Sequence, residues 1–111
     1  GQAQMLAYPI TAPGKLGEGR VLCTLKQARE GGNRGGDGLT IDTRGNLYIT
    51  SGLGIQVFAP SGKPLGIISF PEVPANVTFG GPKLDVLYVT ARTSLYRVQM
   101  KTRGHVFGPS K

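Results

Sequence analysis

Short runs of alternating apolar and polar residues, parted by turns rich in Gly and Pro, make up most of this chain. Arg20-Val21-Leu22-Cys23-Thr24-Leu25, Leu47 to Thr50, Ile55 to Phe58 and Leu65 to Phe70 each have the length and alternation of a strand. Val77 to Phe79, Val86 to Thr90 and Leu95 to Met100 add three more. The opening Gln4 to Ile10 reads as a further strand, with Pro9 confining its end to an edge or terminus. Thr11 to Gly19 reads as a turn region, and Lys26 to Asp37 as the longest loop. Asp42 to Asn46 reads as a hairpin connection, with Asp42 capping the turn and Gly45 taking φ > 0. Pro71 and Pro74 are expected to break pairing before Asn76 opens the next unit, and the polar segment from Lys101 on is expected to fray.

The strands repeat. Leu47-Tyr48-Ile49-Thr50 returns as Leu87-Tyr88-Val89-Thr90, 40 residues later, and Gly54 to Phe58 answers to Ser94 to Val98 at the same offset. Leu39-Thr40-Ile41 answers to Val77-Thr78-Phe79 at an offset of 38. The surplus falls between Gly80 and Val86, where a turn absorbs it. A period near 40 built of short strands is the mark of β-propeller blades. The fold class is therefore all-β, with about two to two-and-a-half four-stranded antiparallel blades. Residues 1–25 supply the outer strands of one blade, 38–70 a full blade, 75–100 most of the next, and 101–111 a tail.

Two repeats cannot close a ring. An open blade face leaves roughly 500–1,000 Å² of apolar surface wet, which at about 25 cal/mol per Å² forfeits on the order of 12–25 kcal/mol. That exceeds the net stability of an ordinary domain. The chain is thus expected to be part of something longer, marginal alone, and dependent on missing blades or self-association to complete the ring.

Composition agrees with many strands and tight turns: 18 Gly and 8 Pro leave little room for helix. The net charge of +7 comes from 13 Lys and Arg scattered singly from Lys15 onward, without interleaved stacking aromatics, so a nucleic-acid partner is not expected. No apolar run approaches the ~18–20 residues that cross a bilayer, so no membrane partner is expected. The compartment, cytoplasmic or periplasmic/secreted, stays open. The lone Cys23 excludes an internal disulfide and reads as a small buried residue of a strand.

Chemistry is concentrated at one place. Gly36-Asp37-Gly38 sets a carboxylate between two glycines immediately before the strand Leu39-Thr40-Ile41. Asp37 is either an Asx-type turn that starts the strand or a ligand for a hard cation, which wants 6–8 oxygens and so needs donors from elsewhere. No phosphate-binding glycine motif is present, and His105 has no acid or nucleophile nearby for a triad.

Gly36-Asp37-Gly38-Leu39-Thr40-Ile41-Asp42-x-x-Gly45-Asn46-Leu47-Tyr48, with Phe79-Gly80-Gly81 and Leu87-Tyr88-Val89-Thr90-Ala91-Arg92-Thr93-Ser94, resembles the C-terminal part of the gluconolactonase / senescence-marker-protein / luciferin-regenerating-enzyme (regucalcin-like) family. Gly36 stands where the family commonly has Pro. The resemblance implies a six-bladed propeller that hydrolyses sugar lactones with a divalent cation, calcium foremost, with zinc, manganese and magnesium as alternatives. It implies that Asp37 is both a metal ligand and the proton-transfer residue. The family's other ligands, a glutamate and an asparagine, have no counterpart here. Asn76 is either a turn residue at a strand start or a channel-facing, substrate-binding amide. Arg92 and Ser94 read as structural. The rival expectation is a non-catalytic propeller module that serves as a binding platform, and the isolated chain is expected to be inactive.

Overall fold

The computed structural model of the chain describes residues 4–27 and 35–106, and none of these residues is helical. The glycine-rich stretch at 28–34 lies outside the described residues, as does the end of the tail from 107 on. Among the described residues eleven strands run in order: β1 (Gln4–Ala7), β2 (Ile10–Ala12), β3 (Lys15–Leu16), β4 (Arg20–Thr24), β5 (Leu39–Ile41), β6 (Leu47–Ser51), β7 (Gly54–Phe58), β8 (Pro64–Ile68), β9 (Pro74–Gly80), β10 (Val86–Ala91) and β11 (Leu95–Gln99). They form antiparallel sheets: a β1-β4 pair, a four-stranded β5-β6-β7-β8 meander, a three-stranded β9-β10-β11 meander, and a small β2-β3 pair.

Pairing reproduces the sequence repeat. Leu39 faces Ile49, Thr40 faces Tyr48 and Ile41 faces Leu47. Their counterparts Val77, Thr78 and Phe79 face Val89, Tyr88 and Leu87. The third strands share the register too, Ile49 facing Gln56 as Val89 faces Tyr96. The two surplus residues sit in the Gly81–Asp85 turn, where Gly81 and Leu84 both take positive φ (84° and 55°).

The three larger sheets stack, and β6 is buried on both sides because successive side chains of a strand point to opposite faces. Tyr48 and Ile55 meet Val77, Phe79, Leu87 and Val89 of the three-stranded sheet. Ile49 and Phe58 meet Cys23 and Leu25 on the other side. Tyr48 and Phe79 pack edge to face, ring centroids 5.2 Å apart at 90°, a favoured aromatic geometry. Each side chain of this size that leaves water stabilises the stack by about 1.5–3 kcal/mol. Buried Gln56 adds a polar clamp: its Oε1 accepts from the Lys26 N–H and its Nε2 donates to the Lys26 carbonyl, both at 2.8 Å, as a neighbouring strand would.

The Asp42 turn forms around its carboxylate. Oδ1 accepts the backbone N–H groups of Arg44 and Asn46, both at 2.9 Å. Oδ2 accepts the Asn46 side-chain amide at 3.0 Å and the Tyr48 hydroxyl at 2.9 Å. Gly45 completes the turn with φ 84°.

Three expectations are corrected. Ile10 to Leu16 is a bulged hairpin, Ile10 facing Leu16 and Ala12 facing Lys15, rather than an open turn. Pro74 lies inside β9, opposite Ala91. A register shift next to that pair lets a residue without an N–H sit at the ladder's end. The tail docks as far as His105 instead of fraying. Thr43 donates to the Arg103 carbonyl at 2.8 Å, Gly104 to Leu84 at 2.8 Å and His105 to Ile41 at 3.0 Å. These bonds are made by the main chain, so polar side chains did not announce them.

Candidate functional site

Asp37 owes its position to Thr50. The Gly36 N–H donates to the Thr50 carbonyl at 2.7 Å, and the Thr50 N–H donates to the Gly38 carbonyl at 3.0 Å. The Gly38 N–H donates to Thr50 Oγ1 at 3.0 Å. Thr50 is fully buried at the end of β6, so both flanks of Asp37 are tied to the sheet core while the carboxylate itself stays exposed. Gly36 has φ 78°, a conformation that L side chains resist. Gly38 is required for space, because a Cβ there would stand 2.8 Å from the Asn76 Cα.

The Asp37 carboxylate opens onto a cleft of about 1020 Å³. The β8–β9 loop lines it with Glu72, the start of β9 with Ala75, and the β10–β11 turn with Arg92. Glu72 joins that loop to that turn. Its Oε1 accepts from the Thr93 hydroxyl at 2.6 Å and its Oε2 from the Tyr96 hydroxyl at 3.0 Å. These bonds, Thr93's foremost, hold the Glu72 carboxyl below the usual carboxylate range.

Asn76 lies beside Gly38, one residue from Asp37, but Ala75 rather than Asn76 lines the cleft. Its position is the third of β9, opposite Thr90, and its Oδ1 accepts the Val77 N–H at 2.9 Å. Arg92 lines the cleft, a place that its reading as structural did not anticipate. Thr50 and Glu72 escaped sequence reasoning altogether. Thr50 carried a usable signal, a repeated Thr at the end of two matching strands, of which only the first follows a Gly-Asp-Gly.

Away from the cleft, Asp42 and Tyr48 form the most perturbed pair. Burial opposes ionisation of Asp42, but four donors from Asn46, Tyr48 and Arg44 outweigh it and lower its pKa. Burial first, then the bond to Asp42, pushes the Tyr48 phenol far up. Both groups are internal to the fold. Burial likewise raises the Cys23 thiol.

Among the described residues no group of three or more His, Cys, Asp and Glu is placed to hold a metal. One carboxylate beside one amide falls well short of the 6–8 oxygens of a calcium centre. The described residues therefore do not by themselves fit a divalent cation.

An all-β stack of antiparallel sheets with a Gly-Asp-Gly carboxylate at its mouth defines the class of this molecule, and comparison gives it a family. The sequence profile of the SMP-30/Gluconolactonase/LRE-like region matches residues 2–93, and the chain belongs to that family. A gluconolactonase of Zymomonas mobilis subsp. mobilis is 41% identical over 69 residues, covering 61% of this chain and 19% of that protein. The X-ray structure of a protein assigned as a gluconolactonase superposes with a TM-score of 0.73 at 28% identity, covering 95% of this chain and 34% of its own. A luciferin-regenerating enzyme superposes with a TM-score of 0.77 at 26% identity, covering 93% of this chain and 40% of its own. The chain thus spans about a fifth to two-fifths of the length of these relatives.

Proposed function

We propose that this chain supplies the Asp37 side of a sugar-lactone hydrolase site, within a six-bladed propeller of which it forms two to two-and-a-half blades. The observation that carries the reading is the exposed Asp37 carboxylate, pinned on both flanks by Thr50, at the mouth of a cleft about 1020 Å³ in volume. That volume accommodates a single sugar ring. The relatives named gluconolactonase support the substrate class.

In this mechanism a water attacks the lactone carbonyl carbon and the ring C–O bond breaks. Asp37 takes a proton from the attacking water and returns it to the departing ring oxygen, leaving an alcohol and a carboxylic acid that ionises to the aldonate. Asn76 stands beside Gly38 just behind the cleft lining. Its Oδ1 is committed to Val77, while among the described residues no hydrogen bond engages its Nδ2, which is the amide offered to the substrate. Were a divalent cation held in the completed ring, calcium ahead of zinc, manganese or magnesium, Asp37 would supply one oxygen donor and the others would come from outside the described residues. Further blades or further copies complete the ring, and the isolated chain is inactive.

The test is a chimera in which this chain replaces the matching segment of a gluconolactonase relative. The chimera hydrolyses gluconolactone in a pH-stat assay, and its Asp37→Asn form loses at least a hundredfold. An Asp37→Asn chimera as fast as its parent would refute the assignment. A folded parent chimera without activity would favour the non-catalytic binding module.

A further inference from the structure

The two repeats diverge most informatively at the turn between their second and third strands. In the four-stranded sheet that turn is Ser51-Gly52-Leu53-Gly54, and in the three-stranded sheet Ala91-Arg92-Thr93-Ser94. Arg92 therefore takes the place of a glycine. The first turn is held from within its own sheet, Ser51 Oγ donating to the Gly54 carbonyl at 2.9 Å and accepting from Gln56 Nε2 at 2.9 Å. The second is closed by the Ala91 N–H donating to the Ser94 carbonyl at 2.9 Å. It is then tied across to another loop, because Thr93 and Tyr96 hold the Glu72 carboxylate. The Tyr96 ring is itself packed against Phe70, centroids 5.4 Å apart. The turn that carries Arg92 is thus fixed from outside its own hairpin, on the wall of the Asp37 cleft.

Glu72 lines the same cleft as Arg92, and its two oxygens accept from the Thr93 and Tyr96 hydroxyls. Among the described residues no ion pair or hydrogen bond engages the Arg92 guanidinium. A planar guanidinium of this kind pairs two-pronged with a carboxylate. Hydrolysis of a lactone makes one.

We infer that Arg92 is the residue that recognises the carboxylate of the ring-opened aldonate in the Asp37 cleft, while the polyol portion lies towards Asp37 and Asn76. The inference rests on the lactone-hydrolase reading for the identity of its ligand. A lactone is neutral and its product is an anion, so Arg92 discriminates between them by charge and holds the product end of the reaction.

The probe is D-gluconate, with D-glucitol as the uncharged polyol of the same length. Each is titrated into the isotope-labelled 111-residue chain and followed by amide chemical shifts. Gluconate is expected to shift the amides of Asp37 and of the Ala91–Ser94 turn, and Arg92→Gln is expected to weaken it about tenfold. Arg92→Lys keeps the charge but not the two-pronged geometry, and falls between. Glucitol binds wild type and Arg92→Gln alike. Arg92 is exposed at a turn, so an unchanged amide spectrum elsewhere confirms that the variants fold. Failure of gluconate to shift the cleft, equal affinity in Arg92→Gln, or an equal loss for glucitol each overturns the inference. The chimera assay separates the two readings. Gluconate binding that depends on Arg92, in a chain whose chimera is inert, sinks the hydrolase reading alone. An active chimera with Arg92-independent gluconate binding sinks the Arg92 inference alone.

Discussion

Thr50 Oγ1 accepts the Gly38 N–H at 3.0 Å inside the sheet stack, and through that bond a residue with no chemistry of its own sets where Asp37 stands. Thr50→Val keeps the shape and removes the acceptor. The Gly38 N–H then lies buried without a partner, at a cost of about 1–3 kcal/mol. Thr50→Ser restores the bond. Chemical denaturation of the three proteins checks the order wild type, Ser, Val, and a Val form as stable as wild type would show that the bond contributes nothing.

Acid sensitivity should report Asp42. Its folded pKa is depressed by its four donors, so it contributes stability in full above the unfolded carboxyl value of about 4 and loses it as the pH falls through the folded value. Melting temperatures from pH 7 downward should stay level to about pH 4 and then drop. Asp42→Asn should start lower and drop less. Parallel curves for the two proteins would assign the acid transition to other groups. Glu72 shifts in the same direction, but it is exposed at the cleft wall, where solvent screens its share.

The docked tail gives a third check. A side chain at Gly104 would run into the Cβ of Phe79. Gly104→Val should therefore release the segment, and the amides of Thr43 and His105 should exchange with solvent together and faster than in the unsubstituted chain. Unchanged protection at Thr43 would mean that the Arg103 carbonyl is held by something other than this docking.

Association is the fourth. Tyr88, Thr90 and Leu95 occupy on the third sheet the places that Tyr48, Thr50 and Ile55 occupy on the second. Those of the second are buried, whereas Thr90 is exposed and Leu95 is 66% exposed. At the other end of the stack Leu6 and Val21 pair with each other and are each 50% exposed. Sedimentation over a hundredfold range of concentration should show a monomer giving way to larger species. A single monomeric boundary throughout, with a sharp thermal transition, would show that these faces need no cover.

How far the sequence was legible follows from what side chains can reveal. The repeat could be read because Leu47-Tyr48-Ile49-Thr50 and its echo carry their packing in their apolar pattern, and the pairing register matches that alignment residue for residue. The Asp42 turn was legible from Asp and Gly at their offsets. The β2–β3 hairpin was not, because Ile10 to Leu16 is exposed and has no buried face to set an alternation. The tail escaped for a related reason, being held by its main chain. At the site, Asp37 stood out by its two glycines. Arg92 did not, because its place on the cleft wall depends on contacts between residues distant in the chain, such as those of Glu72 with Thr93 and Tyr96.

The Gly81–Asp85 turn, with its two surplus residues, lies at the opposite end of its strands from the cleft. β9 runs from the cleft wall at Pro74 to that turn, as β5 runs from Gly38 to Asp42. The molecule therefore has one pole where the two repeats keep the same spacing around Thr50 and Thr90, and another where the Asp42 turn and the Gly81–Asp85 turn differ in length and each is held by its own bonds. The two extra residues therefore lengthen the second repeat at the far pole, while the strands reach the cleft pole in the same register.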